Sequence, residues 1–315
     1  MMPSPTRVRN LLFIVVVAVA LAATSAPASA KPSAASGAGA TLNAAGVTIW
    51  YEVRHGGAKT PPLVVLNGGP GFDHNYLLLS DAWDRLAAHR SVVLYDQRGT
   101  GRSGELKPGQ SCTLADQVAD LEALRAKLGV ERLDLLGHSW GGFLAMAYAV
   151  RYPQHVAHIV LCDSSAAKWS ETDDIVKYLF PEATERRDQF DFLVAVGDAA
   201  AGGAAVKEYL SMLFVSSRKR DEFLAAANQL HFNRAVNEAI NSDVGHVDMG
   251  PMLGRLKMPV LVITGRFDAN VAPSTAWKLH KAIPGSRFEV FEQSGHLPFF
   301  EEPDAFVRSI ERFLQ

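Results

Sequence analysis

The chain has 315 residues, 31 basic and 33 acidic side chains and a formal net charge of −2, so no surplus of cations is available to neutralise a phosphate backbone, and charge-driven nucleic-acid binding is excluded. Hydrophobic residues make up 48% of the chain, enough for one sizeable core, and neither an internal repeat nor a long linker divides it. The two cysteines, Cys112 and Cys162, permit at most one disulfide and fit no multi-cysteine zinc site.

At the amino terminus, Arg7 and Arg9 precede an apolar run from Leu11 to Ala23, and Ala28-Ser29-Ala30 supplies the small residues of a signal peptidase site. The pattern predicts a secretory signal over residues 1–30, cleaved after Ala30. The apolar run is shorter than the ~20 residues a membrane-spanning helix needs. The remaining 285 residues carry a charge of −4, because the first 30 hold two basic residues and no acidic one. Residues 31–40 are mostly Ala, Ser and Gly, too small to hold a core, and read as a flexible leader.

Val47 to Val53 alternates like an edge strand, and Pro62-Leu63-Val64-Val65-Leu66 reads as a strand buried on both faces. It ends in Asn67-Gly68-Gly69-Pro70-Gly71, a loop in which glycines let backbone N–H groups face a crevice. A helical pattern from Tyr76 to His89 leads to a strand over Ser91 to Tyr95 and then to the charged loop Asp96 to Ser103, where Asp96 and Arg98 read as a local ion pair. A helix over Leu114–Leu128 and a strand over Leu133–Leu136 follow. Then comes Gly137-His138-Ser139-Trp140-Gly141-Gly142, and a helix through Val150. A G-x-S-x-G turn between strand and helix lifts the serine hydroxyl to the carboxyl edge of the sheet, which makes Ser139 the candidate nucleophile.

After a strand over Val156–Leu161, residues 164–252 show helical patterns without strand-like runs: Ile175–Leu179, Ala183–Val196, Val206–Phe214 and Glu222–Leu230. That insertion reads as a helical cap over a core built from residues 41–163 and 253–315. The alternation resumes with a strand over Met258–Thr264, a helix over Ser274–Ile283, a strand over Arg287–Phe291 and a helix over Asp304–Leu314. The expected fold is therefore α/β, a mostly parallel sheet with helices on both faces and an inserted all-helical cap.

A serine hydroxyl needs a histidine to take its proton and a carboxylate to orient that histidine. Asp268 follows the strand ending at Thr264, and His296 follows the strand ending at Phe291. Ser139, Asp268 and His296 thus occupy loops on one edge of the sheet, with Asp243 and Asp248 as reserve acids. The N–H groups of Gly69 and Trp140 are the expected oxyanion donors.

Asn67 to Gly71, Asp96 to Ser103, the Ser139 turn, Gly265 to Asp268 and Gly295-His296 together resemble the prolyl aminopeptidase (proline iminopeptidase) branch of the α/β-hydrolases, over essentially all of the chain after the signal. The resemblance implies release of an amino-terminal residue, often proline, from a short peptide. It also implies a cap glutamate that binds the free ammonium group, a position that Glu238 resembles. The chain departs from the branch at Asn67, where His is usual, and at Ala269, where some members carry a second glutamate. His138 is a residue that many esterases carry before the nucleophile. A carboxylesterase or lactonase with the same machinery, and a hydrolase-fold ligand receptor, are the competing readings. No metal or organic cofactor is required, the partner is a small peptide or ester, and no membrane contact is expected once the signal is removed. If the signal is cut where the pattern places it, amino-terminal sequencing of the exported protein begins at Lys31; Met1 or Met2 on membrane-bound protein would establish an anchor instead.

Overall fold

The computed structural model describes residues 39–54, 60–227 and 230–315. The expected signal, its cleavage point and the leader up to residue 38 lie outside the described residues. Eight strands form one sheet: β1 (Ala40–Ala44), β2 (Val47–Arg54), β3 (Leu63–Leu66), β4 (Val92–Tyr95), β5 (Leu133–His138), β6 (Val156–Cys162), β7 (Val260–Gly265) and β8 (Arg287–Phe291). Their order is β1-β2-β4-β3-β5-β6-β7-β8. β2 runs antiparallel to both β1 and β4, and all pairs from β4 to β8 are parallel.

The central strands are apolar throughout because both faces are covered. Along β3, Val64 and Leu66 join the core on one face while Leu63 and Val65 join the other. The same alternation holds in β7, with Val260 and Val262 on the first face and Leu261 and Ile263 on the second. The first face is covered by α2 (Leu114–Leu128), α3 (Trp140–Arg151) and α10 (Pro273–Ala282). The second is covered by α1 (Ala82–Ala87), α11 (Pro298–Glu301) and α12 (Pro303–Phe313), where Phe306 and Ile310 pack in one cluster with Trp83. Each such fully buried side chain contributes roughly 1.5–3 kcal/mol. α2 starts in a capping box, with Thr113 Oγ1 accepting the Asp116 N–H at 3.1 Å and Asp116 Oδ2 accepting the Thr113 N–H at 3.0 Å.

Between β6 and β7 the chain forms α4 (Val176–Leu179), α5 (Pro181–Ala195), α6 (Ala201–Ser211), α7 (Ser217–Ala226), α8 (Arg234–Val244) and α9 (Gly250–Leu253). α5 buries none of its side chains. Among the described residues no helix is long and apolar enough to cross a membrane. Cys112 and Cys162 are both free thiols, one in each core cluster.

The mostly parallel sheet with flanking helices is as the sequence predicts, with local differences. The segment 47–53 is not an edge: β1 pairs with it from Ala40↔Tyr51 to Ala44↔Val47, and begins where the flexible leader was expected to end. β1 escapes the sequence pattern because only Leu42 and Ala44 in it are buried. The single helix expected from Tyr76 to His89 breaks into a 3₁₀ turn over His74–Leu79 and the short α1. Ser80 stands at the break, its hydroxyl donating to the Phe299 carbonyl at 2.5 Å and accepting the Ala82 N–H at 3.2 Å.

Strand and helix pack backbone against backbone at the end of β5. A β-carbon at Gly141 would lie 2.0 Å from the Leu66 carbonyl oxygen, and one at Gly137 would lie 2.3 Å from the Gly141 carbonyl oxygen. Both obstacles are backbone, so neither can swing away. Gly141→Ala is expected to cost about 3 kcal/mol or more of stability, read by urea denaturation; a variant as stable as its parent would show that the strand and helix separate at no cost.

Candidate active site

The carboxyl ends of β3, β5, β6, β7 and β8 lie on one edge of the sheet, and their loops meet there. Ser139 joins β5 to α3 with φ 55° and ψ −120°, a left-handed value that a residue with a side chain adopts only when its surroundings impose it. The surroundings are hydrogen bonds on both sides of the turn. The Ser139 N–H donates to the Cys162 carbonyl at 3.0 Å, and the Ser139 carbonyl accepts the Gly142 N–H at 3.0 Å and the Ser165 N–H at 3.3 Å.

His296 follows β8. Its Nδ1 lies 2.7 Å from Asp268 Oδ2, and neither residue is more than 2% exposed. The other oxygen of Asp268 accepts the N–H groups of Asn270 and Val271, both at 2.9 Å. A carboxylate held by two backbone donors keeps its acceptor turned to Nδ1, which leaves Nε2 as the free lone pair of the ring. That lone pair faces the side-chain amide of Asn270 at 3.2 Å.

Ser139 and His296 line one cavity together with Gly69, Phe72, Tyr209 and Phe223. The cavity measures about 20 Å³, little more than one water requires, so a substrate must displace side chains to enter. Through Gly69, Phe72 and Tyr209 it adjoins a chamber of about 270 Å³ that is also lined by Arg187, Asp191 and Arg234. In the glycine loop after β3 the Gly68 N–H is committed to Tyr76 Oη at 2.5 Å, and Gly69 also lines the cavity. Trp140 is the first residue of α3, where helical N–H groups have no partner within the helix.

Asp96 and Arg98 do not pair with each other, contrary to the sequence reading. Arg98 grips both oxygens of Asp120 on α2 at 2.6 Å, and Asp96 faces His74 Nδ1 at 2.6 Å. The glycine loop is held instead by Gln97, whose Nε2 donates to the Asn67 carbonyl at 3.0 Å while its Oε1 accepts the Trp140 indole N–H at 2.9 Å. Nor is Glu238 brought to the cavity. α8 buries Val236, Ile240 and Val244, and Glu238, about 200° around the helix from Val236, is exposed on the opposite side. Its neighbour Asn237 lines the chamber and donates to the Pro70 carbonyl at 2.8 Å. The reserve acids are engaged elsewhere: Asp243 accepts the Leu114 N–H at 2.8 Å, and Asp248 accepts that of Gly250 at 2.8 Å.

Sequence reasoning did not find the bridge made by Tyr76 and His138. The Tyr76 hydroxyl accepts from Gly68 and faces His138 Nδ1 at 2.7 Å, while His138 Nε2 faces the His296 carbonyl at 2.8 Å. Since a carbonyl only accepts, Nε2 carries the proton and Nδ1 accepts from the tyrosine. One neutral histidine thus ties the glycine loop to the His296 loop. The cap joins the same loop, because the His296 N–H donates to the Leu213 carbonyl at 2.8 Å and Glu301 accepts the N–H groups of Val215, Ser216 and Gly295. Among the described residues Asp163, Asp268 and His296 form the one cluster with metal-ligand spacing, their donor atoms all within 4.8 Å of each other. Its His–Asp pair is closed by a direct hydrogen bond that a metal would have to replace.

The chain belongs to the α/β-hydrolase fold family, whose model matches residues 61–303. Within that family it is similar to the proline iminopeptidase of Lactobacillus helveticus (strain DPC 4571), 31% identical over 286 residues that span 85% of this chain and 95% of the relative. Among solved structures it is similar to the proline iminopeptidase of Mycobacterium smegmatis, with 26% identity, a TM-score of 0.67 and coverage of 88% of this chain and 97% of that one. An esterase from Exiguobacterium antarcticum shares the fold, with 21% identity, a TM-score of 0.70 and coverage of 87% and 98%.

Burial, reinforced by the neighbouring His296, pushes His138 well below the usual value of 6.5. The unfolded chain takes up a proton there near that pH and the folded chain does not, so this stabilising contribution is complete above about pH 6.5 and is lost as pH falls below it. The slope is up to ~1.4 kcal/mol per pH unit. His138→Gln, whose amide can make both hydrogen bonds without titrating, is expected to flatten the fall in stability on going from pH 6.5 to about pH 5, measured by urea denaturation. An unchanged slope would mean that folded His138 binds the proton.

Proposed function

We propose that the protein is an exported serine hydrolase that releases an amino-terminal residue, proline among them, from short peptides. The observation that carries the reading is the buried 2.7 Å contact between Asp268 and His296 in the loop that shares a cavity with Ser139. In this mechanism Ser139 Oγ attacks the carbonyl carbon and His296 Nε2 takes its proton, exchanging the Asn270 amide for the serine hydroxyl as the substrate seats. Asp268 holds the Nδ1–H, and the N–H groups of Gly69 and Trp140 receive the charge that develops on the carbonyl oxygen. His296 then protonates the leaving amine, and water hydrolyses the acyl-enzyme by the same steps in reverse order.

The names of the relatives support the choice of a peptide with a free amino terminus. Glu238 has no part in it. The carboxylate in position to meet an ammonium group is Asp191, which lines the adjoining chamber and pairs there with Arg234. A second reading, an esterase for uncharged acyl groups, is favoured by the cavity itself, whose described lining of Phe72, Tyr76, Leu210, Leu213 and similar side chains includes no carboxylate.

Ser139→Ala is expected to lower turnover at least ~10⁴-fold without loss of folding. Asp191→Asn is expected to lower kcat/KM about tenfold on prolyl anilide and to spare a short nitrophenyl ester, since a charge-assisted hydrogen bond in a half-exposed chamber is worth roughly 1.5 kcal/mol. Acetylating the substrate amine should cause the same loss in the parent enzyme. Equal turnover of free and acetylated anilides would reject the aminopeptidase reading in favour of the esterase.

A further inference from the structure

Beside the Asp268–His296 pair lies a second acid, Asp163, that the mechanism above does not use. Asp163 follows β6 as Asp268 follows β7, and the two are 0% and 1% exposed. Asp163 adopts φ 46°, a left-handed conformation imposed on a residue with a β-carbon. One oxygen from each carboxylate and one ring nitrogen of His296 lie within 4.8 Å of one another.

The two acids are unequally supplied with donors. Asp268 receives two backbone N–H groups and the His296 ring. Asp163 Oδ1 receives only the Gly265 N–H, at 2.8 Å, and Oδ2 meets the Cys162 thiol at 3.4 Å. Two carboxylates this close and this dry cannot both stay charged, and the retained proton settles on the one with fewer donors. Burial and the neighbouring Asp268 together push the Asp163 carboxyl well above the usual carboxylate range. Of the other titratable groups packed around the pair, Cys162 is pushed up and His138 down, and Tyr209 from α6 is pushed up, so all three stay neutral. His296 is left as the group whose charge changes during turnover.

We propose that Asp163 is a positioning residue of the site: a neutral carboxylic acid that accepts the Gly265 N–H on one oxygen and donates from the other to Asp268, limiting the negative charge that Asp268 presents to His296. The assignment rests on the serine-hydrolase reading of Ser139 and His296. It gives the site an acid of four donors in place of three. Removing the fourth concentrates charge on Asp268, strengthens its attraction for a protonated His296, and moves the acid limb of the rate profile to higher pH.

Asp163→Asn separates the charge states. Its amide carbonyl can accept from Gly265 and its NH₂ can donate to Asp268, so it copies a neutral acid and cannot copy a carboxylate. The rate of serine labelling by a fluorophosphonate, followed against pH in the full chain, reads His296 as the base without depending on the identity of the substrate. Asp163→Asn is expected to leave the acid limb within ~0.3 pH unit of the parent, and Asp163→Ala to raise it by about one unit, a tenfold slower labelling at a pH below the limb. An acid limb that moves down by about a unit in Asp163→Asn would show a charged Asp163 in the parent and overturn the proposal. So would an unmoved limb in a folded Asp163→Ala. If the alanine variant does not fold, the asparagine variant decides the charge state alone. Parent protein that is not labelled at any pH would reject the serine-hydrolase reading, an outcome distinct from labelling whose acid limb moves the wrong way.

Discussion

The Leu66 carbonyl oxygen leaves no room for a side chain at Gly141, and the site depends on that contact. It sets the first turn of α3 directly against the end of β3, so that the glycine loop and the Ser139 turn become neighbours instead of being separated by a layer of side chains. Ser139 meets the cost of its positive φ through hydrogen bonds to Cys162 and Ser165, which belong to β6 and the loop after it. A strained turn is held by three parallel strands at once, and rigid strands place groups more accurately than loops do.

Around that turn the buried polar groups are arranged so that charge is scarce. Arg98 and Asp120 neutralise each other on the α2 side, His74 and Asp96 face each other without exposure, and His138 is a neutral link between a tyrosine and a carbonyl. Unpaired charge in such surroundings would be far more costly than in water. In the proposed mechanism His296 gains and loses a proton, and it can do so here because a carboxylate with backbone donors is already in place to meet it.

Much of this was legible in the amino-acid order, and the exceptions have physical reasons. Ser139, Asp268 and His296 stand where apolar strand runs give way to glycine, a pattern that reports an edge of a parallel sheet whatever the rest of the chain does. Asp163 stands in the same kind of place, directly after Val156–Cys162, and a reading that counts every strand-end carboxylate would include it. Tyr76 and His138 are 62 residues apart, and their contact arises from packing that has no period in the sequence. Glu238 was drawn to the site by its resemblance to a family position, whereas the spacing of Val236, Ile240 and Val244 already turns it outward. Asp96 and Arg98 are two residues apart in a loop, where proximity in sequence says little about which way either side chain leaves the backbone.

The hydrogen bond from the His296 N–H to the Leu213 carbonyl fastens the helical insertion to the core at the loop that carries His296. α5 buries none of its side chains completely and packs mainly against its neighbour α6, with Asp191 also paired to Arg234 of α8. The two parts of the insertion are therefore held to different degrees. A change near Leu213 alters the backbone contact that positions the His296 loop, whereas a change at Arg187 or Asp191 on α5 alters the lining of the adjoining chamber. The lining of the chamber can thus be altered through α5 without touching the hydrogen bond that fixes the His296 loop to the insertion.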